Sequence, residues 1–501
     1  MKFNIEKDYT KDLLNQLLDL YNEVLDEGNV NLSKWEKNIE RVDFYESAKN
    51  LFYYLALRTK SVQDIQNQLI PWGLSSLGRL ESKTLPTLQS VIFSLSRICG
   101  EDTDIYMPNS ESFYAGKERL DKNTKSFYGE EPKDYRTRIM VTLPSEASED
   151  NSLIEDLIKA GMNVARINCS HDNEKTWLIM INKIRRISKK ENKDVKILMD
   201  LSGPKIRTDW VFSYYENSKV VVGDLLRLAN DFSNINPKEE VKLQLGTTIP
   251  QVFKHLKVGD HVMIDDGTIE TSVVEVDSNG AIIRVDKLKG RSKRLRPQKG
   301  INFPDTDLEV NVLSKKDKED MRIACEHADI IGCSFIRTSK DIIDIQNELD
   351  KILKNDGYKM PLMAKIETVS GVDNLPEIIL QGASKNPFSV MIARGDLAVE
   401  SGYARLAELQ QEILWICEAA DIPVVWATEV FSNLVKSGIP TRAEVTDATE
   451  GTQAECVMLN KGDFLVEGIE MLQEIFTKMQ EHQYKKTSIL RPLNIANISE
   501  K

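Results

Sequence analysis

The sequence has no stretch approaching the ~18 to 20 consecutive apolar residues that a membrane-spanning helix needs. Its start, Met1-Lys2-Phe3-Asn4, lacks the apolar core and small-residue cleavage site of a secretory leader. There is no Cys-x-x-Cys pair: Cys99, Cys169, Cys325, Cys333, Cys417 and Cys456 are scattered. That spacing argues against a zinc site or a disulfide framework and fits a reducing compartment. An excess of basic charge is also missing, since 66 Lys and Arg stand against 78 Asp and Glu, a net charge of −12. This disfavours nonspecific binding to nucleic acid or anionic membranes as the main task, while leaving local phosphate binding open. We expect a soluble cytoplasmic protein with neither membrane nor nucleic acid as its partner.

What is present is enough chain for two or three domains: 501 residues, 41% of them apolar. Residues 1–104 read as helical, with Leu13, Leu14, Leu17, Leu18, Tyr21 and Leu25 at one-face spacing, and Ala48, Leu51, Phe52 and Leu55 likewise. Gly28, Pro71-Trp72-Gly73 and Gly78 interrupt these runs, which suggests several short helices in a small bundle. Ile65 to Arg79 is punctuated like a helix–turn–helix, but acids and bases nearly balance around it, so an oligomerisation or docking module is expected before a DNA reader. Residues 105–135 are poor in aliphatics and rich in charge, and read as a linker.

From Arg138 onward, short apolar runs alternate with helical stretches. Eight candidate strands are Arg138–Leu143, Val164–Ser170, Val195–Leu201, Ile330–Ile336, Leu362–Glu367, Phe388–Asp396, Pro423–Glu429 and Cys456–Asn460. Continuous apolar strands between helices imply a parallel sheet covered by helices, and eight units suggest a closed barrel with its site at the C-terminal strand ends. Between the third and fourth strands the pattern changes to strand alternation, with Ser278-Asn279-Gly280 as a hairpin turn. The expected fold is therefore α/β: a (β/α)8 TIM barrel with an inserted small β-barrel lid domain and an N-terminal all-α domain. The barrel would occupy 136–208 and 299–484, the lid 209–298, and a tail 485–501.

The strand ends carry the chemistry. Lys365-Ile-Glu367 supplies a cation and a carboxylate from one strand, pointing the same way because they lie two residues apart. Arg394-Gly-Asp396 reads as the same arrangement on the next strand, with a glycine that lets backbone amides approach an anion. Glu367 and Asp396 can together hold one Mg²⁺ that keeps several waters. Phosphoryl transfer needs such a metal, cations around the moving group and exclusion of water.

At these residues the sequence resembles the pyruvate kinase family, motif by motif from about Arg138 to Gln480. The motifs are Gly161–His171, Asp200-Leu-Ser-Gly-Pro-Lys-Ile-Arg-Thr208, Asp265-Asp266-Gly267, Lys299-Gly-Ile-Asn-Phe-Pro304, Ser334-Phe-Ile-Arg337, Lys365-Ile-Glu367, Ala393-Arg-Gly-Asp-Leu397, Ala427-Thr428 and Pro440-Thr-Arg-Ala-Glu444. The resemblance implies phosphoryl transfer between phosphoenolpyruvate and ADP, giving pyruvate and ATP. It implies that Arg166 and Arg207 contact the phosphoryl group and that Lys365 stabilises it in transit. Glu367 with Asp396 would hold Mg²⁺ or Mn²⁺, and the amides around Gly395 would receive the substrate carboxylate. Thr428 would sit where enolpyruvate is protonated. His171 and Asp266 would lie on the nucleotide side, and Asn168, Ser170 and Asp200 would line a monovalent-cation site.

The chain departs from the family in four places. Lys205 stands where many members carry a glutamate that accompanies potassium, and Leu201 stands where they carry threonine. Either the Lys205 ammonium replaces K⁺, making added potassium unnecessary, or Lys205 faces solvent. Thr142-Leu143-Pro144-Ser145 replaces the usual Thr-Ile-Gly-Pro, and Leu459-Asn460-Lys461-Gly462-Asp463 replaces Leu-Ser-Gly-Glu-Thr, losing a hydroxyl that assists proton delivery. The residues after the last barrel helix show no counterpart of the family's C-terminal effector domain, so a homodimer or monomer is expected, without sugar-phosphate control. The basic run Lys287–Arg296 either draws nucleotide phosphates towards the cleft or forms a solvated loop. Two rivals to the kinase reading are a phosphoenolpyruvate- or pyruvate-handling lyase and a degenerate barrel that senses metabolites without turnover.

Overall fold

The computed structural model describes residues 7–234, 241–306, 308, 310–354 and 359–489. The expected tail lies outside these residues from 490 onward.

Eight parallel strands close a barrel: β1 Arg138–Thr142, β2 Val164–Asn168, β3 Lys196–Asp200, β4 Ile330–Cys333, β5 Leu362–Ile366, β6 Phe388–Ala393, β7 Val424–Ala427 and β8 Cys456–Leu459. Closure comes from β8 pairing with β1, Arg138 opposite Cys456 and Val141 opposite Leu459. Helices such as Glu174–Glu191 and Ser339–Leu353 cover the outside. Side chains alternate across a strand, so every second residue points into the barrel. Met140, Val164, Leu198, Ile330, Met363, Val425 and Cys456 fill its lower interior as part of one apolar cluster. Two residues further along the same strands stand Thr142, Arg166, Asp200 and Lys365. The interior thus turns from apolar to charged within a single step of the pleat, and it does so at the C-terminal ends.

The inserted unit is a curled seven-stranded sheet with its own core, including Leu226, Leu245, Val262, Val273 and Ile283. Its edge strands are Thr208–Phe212 and Ile301–Asn302, which reach beyond the expected limits of 209 and 298. The two edges meet where Thr208 N–H donates to Lys299 O at 2.7 Å and Ile301 N–H to Ile206 O at 2.8 Å, closing the sheet into a small barrel. Ser278 and Asn279 form the hairpin turn between Ile269–Asp277 and Gly280–Leu288.

The N-terminal domain comprises α1 Lys7–Trp35, α2 Tyr45–Arg58, α3 Gln63–Leu69 and α4 Thr84–Cys99. Gly28 does not interrupt α1 as its type suggested. It lies where α2 crosses closest, and a Cβ there would stand 2.3 Å from Tyr53 Cδ1. Beyond α3 a 3-10 turn at Ile70–Trp72 ends on left-handed Gly73, and no second helix follows until α4, so the helix–turn–helix punctuation does not form that motif.

The segment expected as a linker, 105–135, instead contains the 19-residue helix α5, Ser110–Tyr128. Its buried residues are Gly116, Leu120, Thr124, Phe127 and Tyr128, with a glycine and a threonine among the positions that recur once per turn. A Cβ at Gly116 would stand 2.1 Å from Ser82 O, so glycine is needed there because the packing is close. Phe127 and Tyr128 at its end join the apolar cluster at the bottom of the barrel. Among the described residues no helix is long and apolar enough to cross a membrane.

Candidate active site

A cavity of about 240 Å³ opens at the C-terminal ends of the barrel strands. Arg166, Asn168 and Ser170 line it from β2 and its loop, Lys205 and Arg207 from the segment after β3, and Lys365 and Glu367 from the end of β5. Gly395, Asp396 and Thr428 complete it, with Met391, Met458 and Asn460 from neighbouring strand ends. Period-two alternation converges the side chains carried on the strands, since the strand ends point one set inward.

Asp200 is the buried hub. Its Oδ2 accepts from Arg166 Nε at 2.8 Å and Nη2 at 2.5 Å and lies 3.3 Å from Lys365 Nζ. Burial alone would raise its pKa, but Lys365 and Arg166 outweigh that and hold the carboxyl below its usual range. Arg166 Nη1 also donates to Thr142 Oγ1 at 2.9 Å, and Lys365 Nζ donates to Ser334 Oγ at 2.7 Å. Burial opposes the Lys365 charge, yet Asp200 and Glu367 raise its pKa, so the ammonium is retained. Two desolvated cations with fixed directions thus face one small cavity.

Glu367 accepts from Phe335 N–H at 2.5 Å and lies 3.3 Å from Lys365 Nζ. Burial raises its pKa; Lys365 opposes that rise and the like charge of Asp396 adds to it. Two carboxylates held close enough to repel, one buried, form an all-oxygen donor pair that suits a hard divalent cation retaining waters. The residues present therefore fit Mg²⁺ or Mn²⁺, although no cluster of three or more metal-ligating side chains occurs among the described residues.

Asp396 and Arg394 are not on a strand. β6 ends at Ala393, and Arg394–Ser401 is a helix with Asp396 in its first turn. The expected repeat of the lysine–carboxylate arrangement fails here because the backbone changes period between the two residues. Arg394 turns away from the cavity onto Asp447 and Trp426, and its guanidinium bonds Ala427 O at 2.7 Å and Thr428 O at 2.6 Å. That clamp holds Thr428 at φ +72°, a conformation a β-branched residue rarely takes. Gly395 leaves room for it: a Cβ there would lie 2.9 Å from Thr428 Cγ2.

Lys205 does not sit on Asp200. Its ammonium lies 2.8 Å and 3.1 Å from the Asp396 oxygens, with Asp266 of the lid at 3.8 Å. Neither does it simply face solvent, its side chain being 19% exposed. Asn168 Oδ1 accepts from Ser170 N–H at 3.0 Å, and the Ser170 and Ser202 hydroxyls meet at 3.1 Å. His171 lies outside the cavity lining and is exposed; partial burial, then Lys461, lowers its pKa, Arg207 adding to the effect. Asp266 is exposed at the lid turn, where Asp265 pairs with Lys299 at 2.9 Å and with Lys293. Lys293 belongs to the basic run, so part of that run holds the lid turn together.

Sequence reading assigned no role to Thr142, Ser334, Met391, Met458 or the Arg394–Asp447 clamp. The first four were accessible in principle, because they share the inward parity of Arg166 and Lys365. The clamp had no local signal, since Asp447 is 53 residues away.

The family model described as "Pyruvate kinase, barrel domain" matches residues 134–467. Among curated relatives, proteins named pyruvate kinase from Staphylococcus aureus strains USA300, NCTC 8325 and COL are each 31% identical over 361 residues. The alignment covers 70% of this chain and 58% of each relative, so the chain spans less than two thirds of their length.

Proposed function

This chain belongs to the pyruvate kinase family, and from that premise we propose that it transfers the phosphoryl group of phosphoenolpyruvate to ADP in the cytoplasm, with Mg²⁺ and without a potassium requirement. The observation that carries the reading is the convergence of Arg166, Lys365, Glu367 and Asp396 on one cavity at the barrel's C-terminal end.

Arg166 and Lys365 are pre-aimed by Asp200 and Ser334, so they meet the phosphoryl oxygens without reorganising when charge spreads over them. Arg207 adds a third cation from the base of the lid, and backbone N–H groups at the start of Arg394–Ser401 donate to the substrate carboxylate. A divalent ion held by Glu367 and Asp396 would supply charge neutralisation on the transferring group. The bond between the enol oxygen and phosphorus breaks as the nucleotide oxygen bonds to phosphorus. The enolate then takes a proton at carbon, and Thr428, fixed by the Arg394 clamp, presents a hydroxyl in the cavity lining. Asn460 in the same lining cannot relay that proton as a hydroxyl can. His171 and Asp266 lie towards the nucleotide side.

The Lys205–Asp396 pair also favours a second reading, a barrel that binds metabolites without turnover, because the ammonium satisfies a carboxylate the metal would use. The deciding experiment is pyruvate formation from phosphoenolpyruvate, ADP and Mg²⁺ in sodium-only buffer, with Lys365→Met as control. Turnover that falls at least ~10³-fold in the variant supports the kinase. Binding of phosphoenolpyruvate with no pyruvate formed, in sodium or potassium, sinks it in favour of the second reading.

A further inference from the structure

A second cavity, of about 260 Å³, lies outside the barrel mouth, where the N-terminal helices meet the barrel's last segments. Its walls come from the 3-10 turn Glu81–Lys83, from α5, from the end of the barrel helix Tyr403–Ala419 and from the hairpin around Tyr484–Thr487. None of the residues used in the proposed reaction lines it.

Its charge is unbalanced. Two carboxylates, Glu81 and Glu418, face five cations. Lys486 is committed to Glu81, while Lys485 lies 2.8 Å from Glu455 and 3.7 Å from Glu418. That leaves Arg79, Lys83 and Lys117, for which no carboxylate lies within ion-pair distance among the described residues. Two of them rest on aromatic faces instead. Lys83 Nζ is 4.2 Å from the Phe113 ring centre and 5.5 Å from that of Tyr114, and Lys117 Nζ is 4.5 Å from that of Tyr484. For Lys83, which is half-buried, cation–π contact offsets only part of what the ammonium loses in water. Burial lowers the Lys83 pKa; Glu418 and Glu81 resist, and Arg79 with Lys117 push the same way as burial. Asp121, one turn beyond Lys117, is a further nearby acid, itself pushed up by burial.

We infer that this cavity is a binding site for a small organic dianion, held by Arg79, Lys83 and Lys117 with its carbon frame against Phe113, Tyr114 and Tyr484. The charge of the ligand follows from the three remaining cations set against Glu418, whose neighbour Lys485 lies nearer Glu455. Its size follows from the volume, which falls below the ~300–1,000 Å³ of sites for drug-sized molecules. A phosphate monoester and a dicarboxylate share this chemistry.

The test is isothermal titration of the full chain with glycerol 3-phosphate and, separately, with succinate, at low and high salt. Saturable binding at Kd below about 1 mM that weakens about tenfold in Lys83→Met and in Lys117→Gln is expected. Both variants keep the same rate of phosphoryl transfer without added ligand, because neither residue touches the barrel cleft. Stronger binding of glycerol 3-phosphate identifies the phosphate monoester, and stronger binding of succinate the dicarboxylate. Lys117 is exposed, so Lys117→Gln tests the site even if Lys83→Met does not fold. No saturable binding of either probe overturns the inference, and so does binding undiminished in the variants, which would belong to the barrel cleft.

Discussion

Lys205 holds the carboxylate that a metal would use, 2.8 Å from Asp396 Oδ1 and 19% exposed. An ammonium on that oxygen neutralises charge at the cavity permanently, which is the physical ground for the proposal that potassium is not required. It also competes with the divalent ion for Asp396. Lys205→Met should therefore tighten Mn²⁺ binding to the substrate-free protein a few-fold, as about 0.5 to 1 kcal/mol of partly buried pairing is removed. The same variant should lose most of its turnover in sodium and regain part of it in potassium. Titration followed by the Mn²⁺ paramagnetic resonance signal, together with rates in the two salts, checks both halves. Unchanged metal affinity would mean that the ammonium leaves Asp396 before metal arrives.

At the scale of elements, the helix Arg394–Ser401 joins site and lid. Asp396 faces the cavity, and one turn later Glu400 Oε1 accepts from Asn302 Nδ2 of the lid's edge strand at 2.9 Å. Burial pushes the Glu400 carboxyl up to about 7, against the Asn302 bond and with help from Asp396. Between an ordinary glutamate pKa and about 7 the folded protein therefore holds a proton that the unfolded chain has released, so Glu400 costs stability as pH rises through that window. Glu400→Gln keeps an acceptor for Asn302 and never ionises. It should raise the melting temperature by a few degrees at pH 8, on the order of 2 kcal/mol, and by less than half as much at pH 5, where the window has only begun to open. Equal gains at both pH values would show that ionisation is not the cause. The eight strands were legible at this scale because short apolar runs bounded by polar strand ends have few other readings. The end of β6 was not, because nothing local marks where Ala393 stops extending and Arg394 starts to coil. Helix α5 was hidden because Gly116 and Thr124 give its buried face no apolar period.

At the scale of the whole molecule, the N-terminal domain is docked on its own barrel. The backbone amides of Glu40 and Arg41 donate to Ser384 O at 3.0 and 2.8 Å, and Asn50 Nδ2 donates to Ala419 O at 2.8 Å. The densest contact is Asp421, which is 0% exposed and accepts from Ser47 Oγ and Arg119 Nε, both at 2.6 Å. One carboxylate thus receives α2 and α5 together at the end of a barrel helix. Helical periodicity made the domain visible in the sequence, but its docking face was not, because the partners of Ser47 and Arg119 lie 374 and 302 residues away. Burial pushes the Asp421 carboxyl up to about 7 against Arg119 and Ser47, so at pH 8.5, where the charge is kept, Arg119→Met should destabilise the chain by about 3 kcal/mol in urea unfolding. Replacing Asp421 by Asn in the same chain should recover part of that loss, since the charge left behind is then removed. If the single variant loses under ~1 kcal/mol, the carboxylate is either neutral or reached by water, and the docking rests on the backbone and apolar contacts alone.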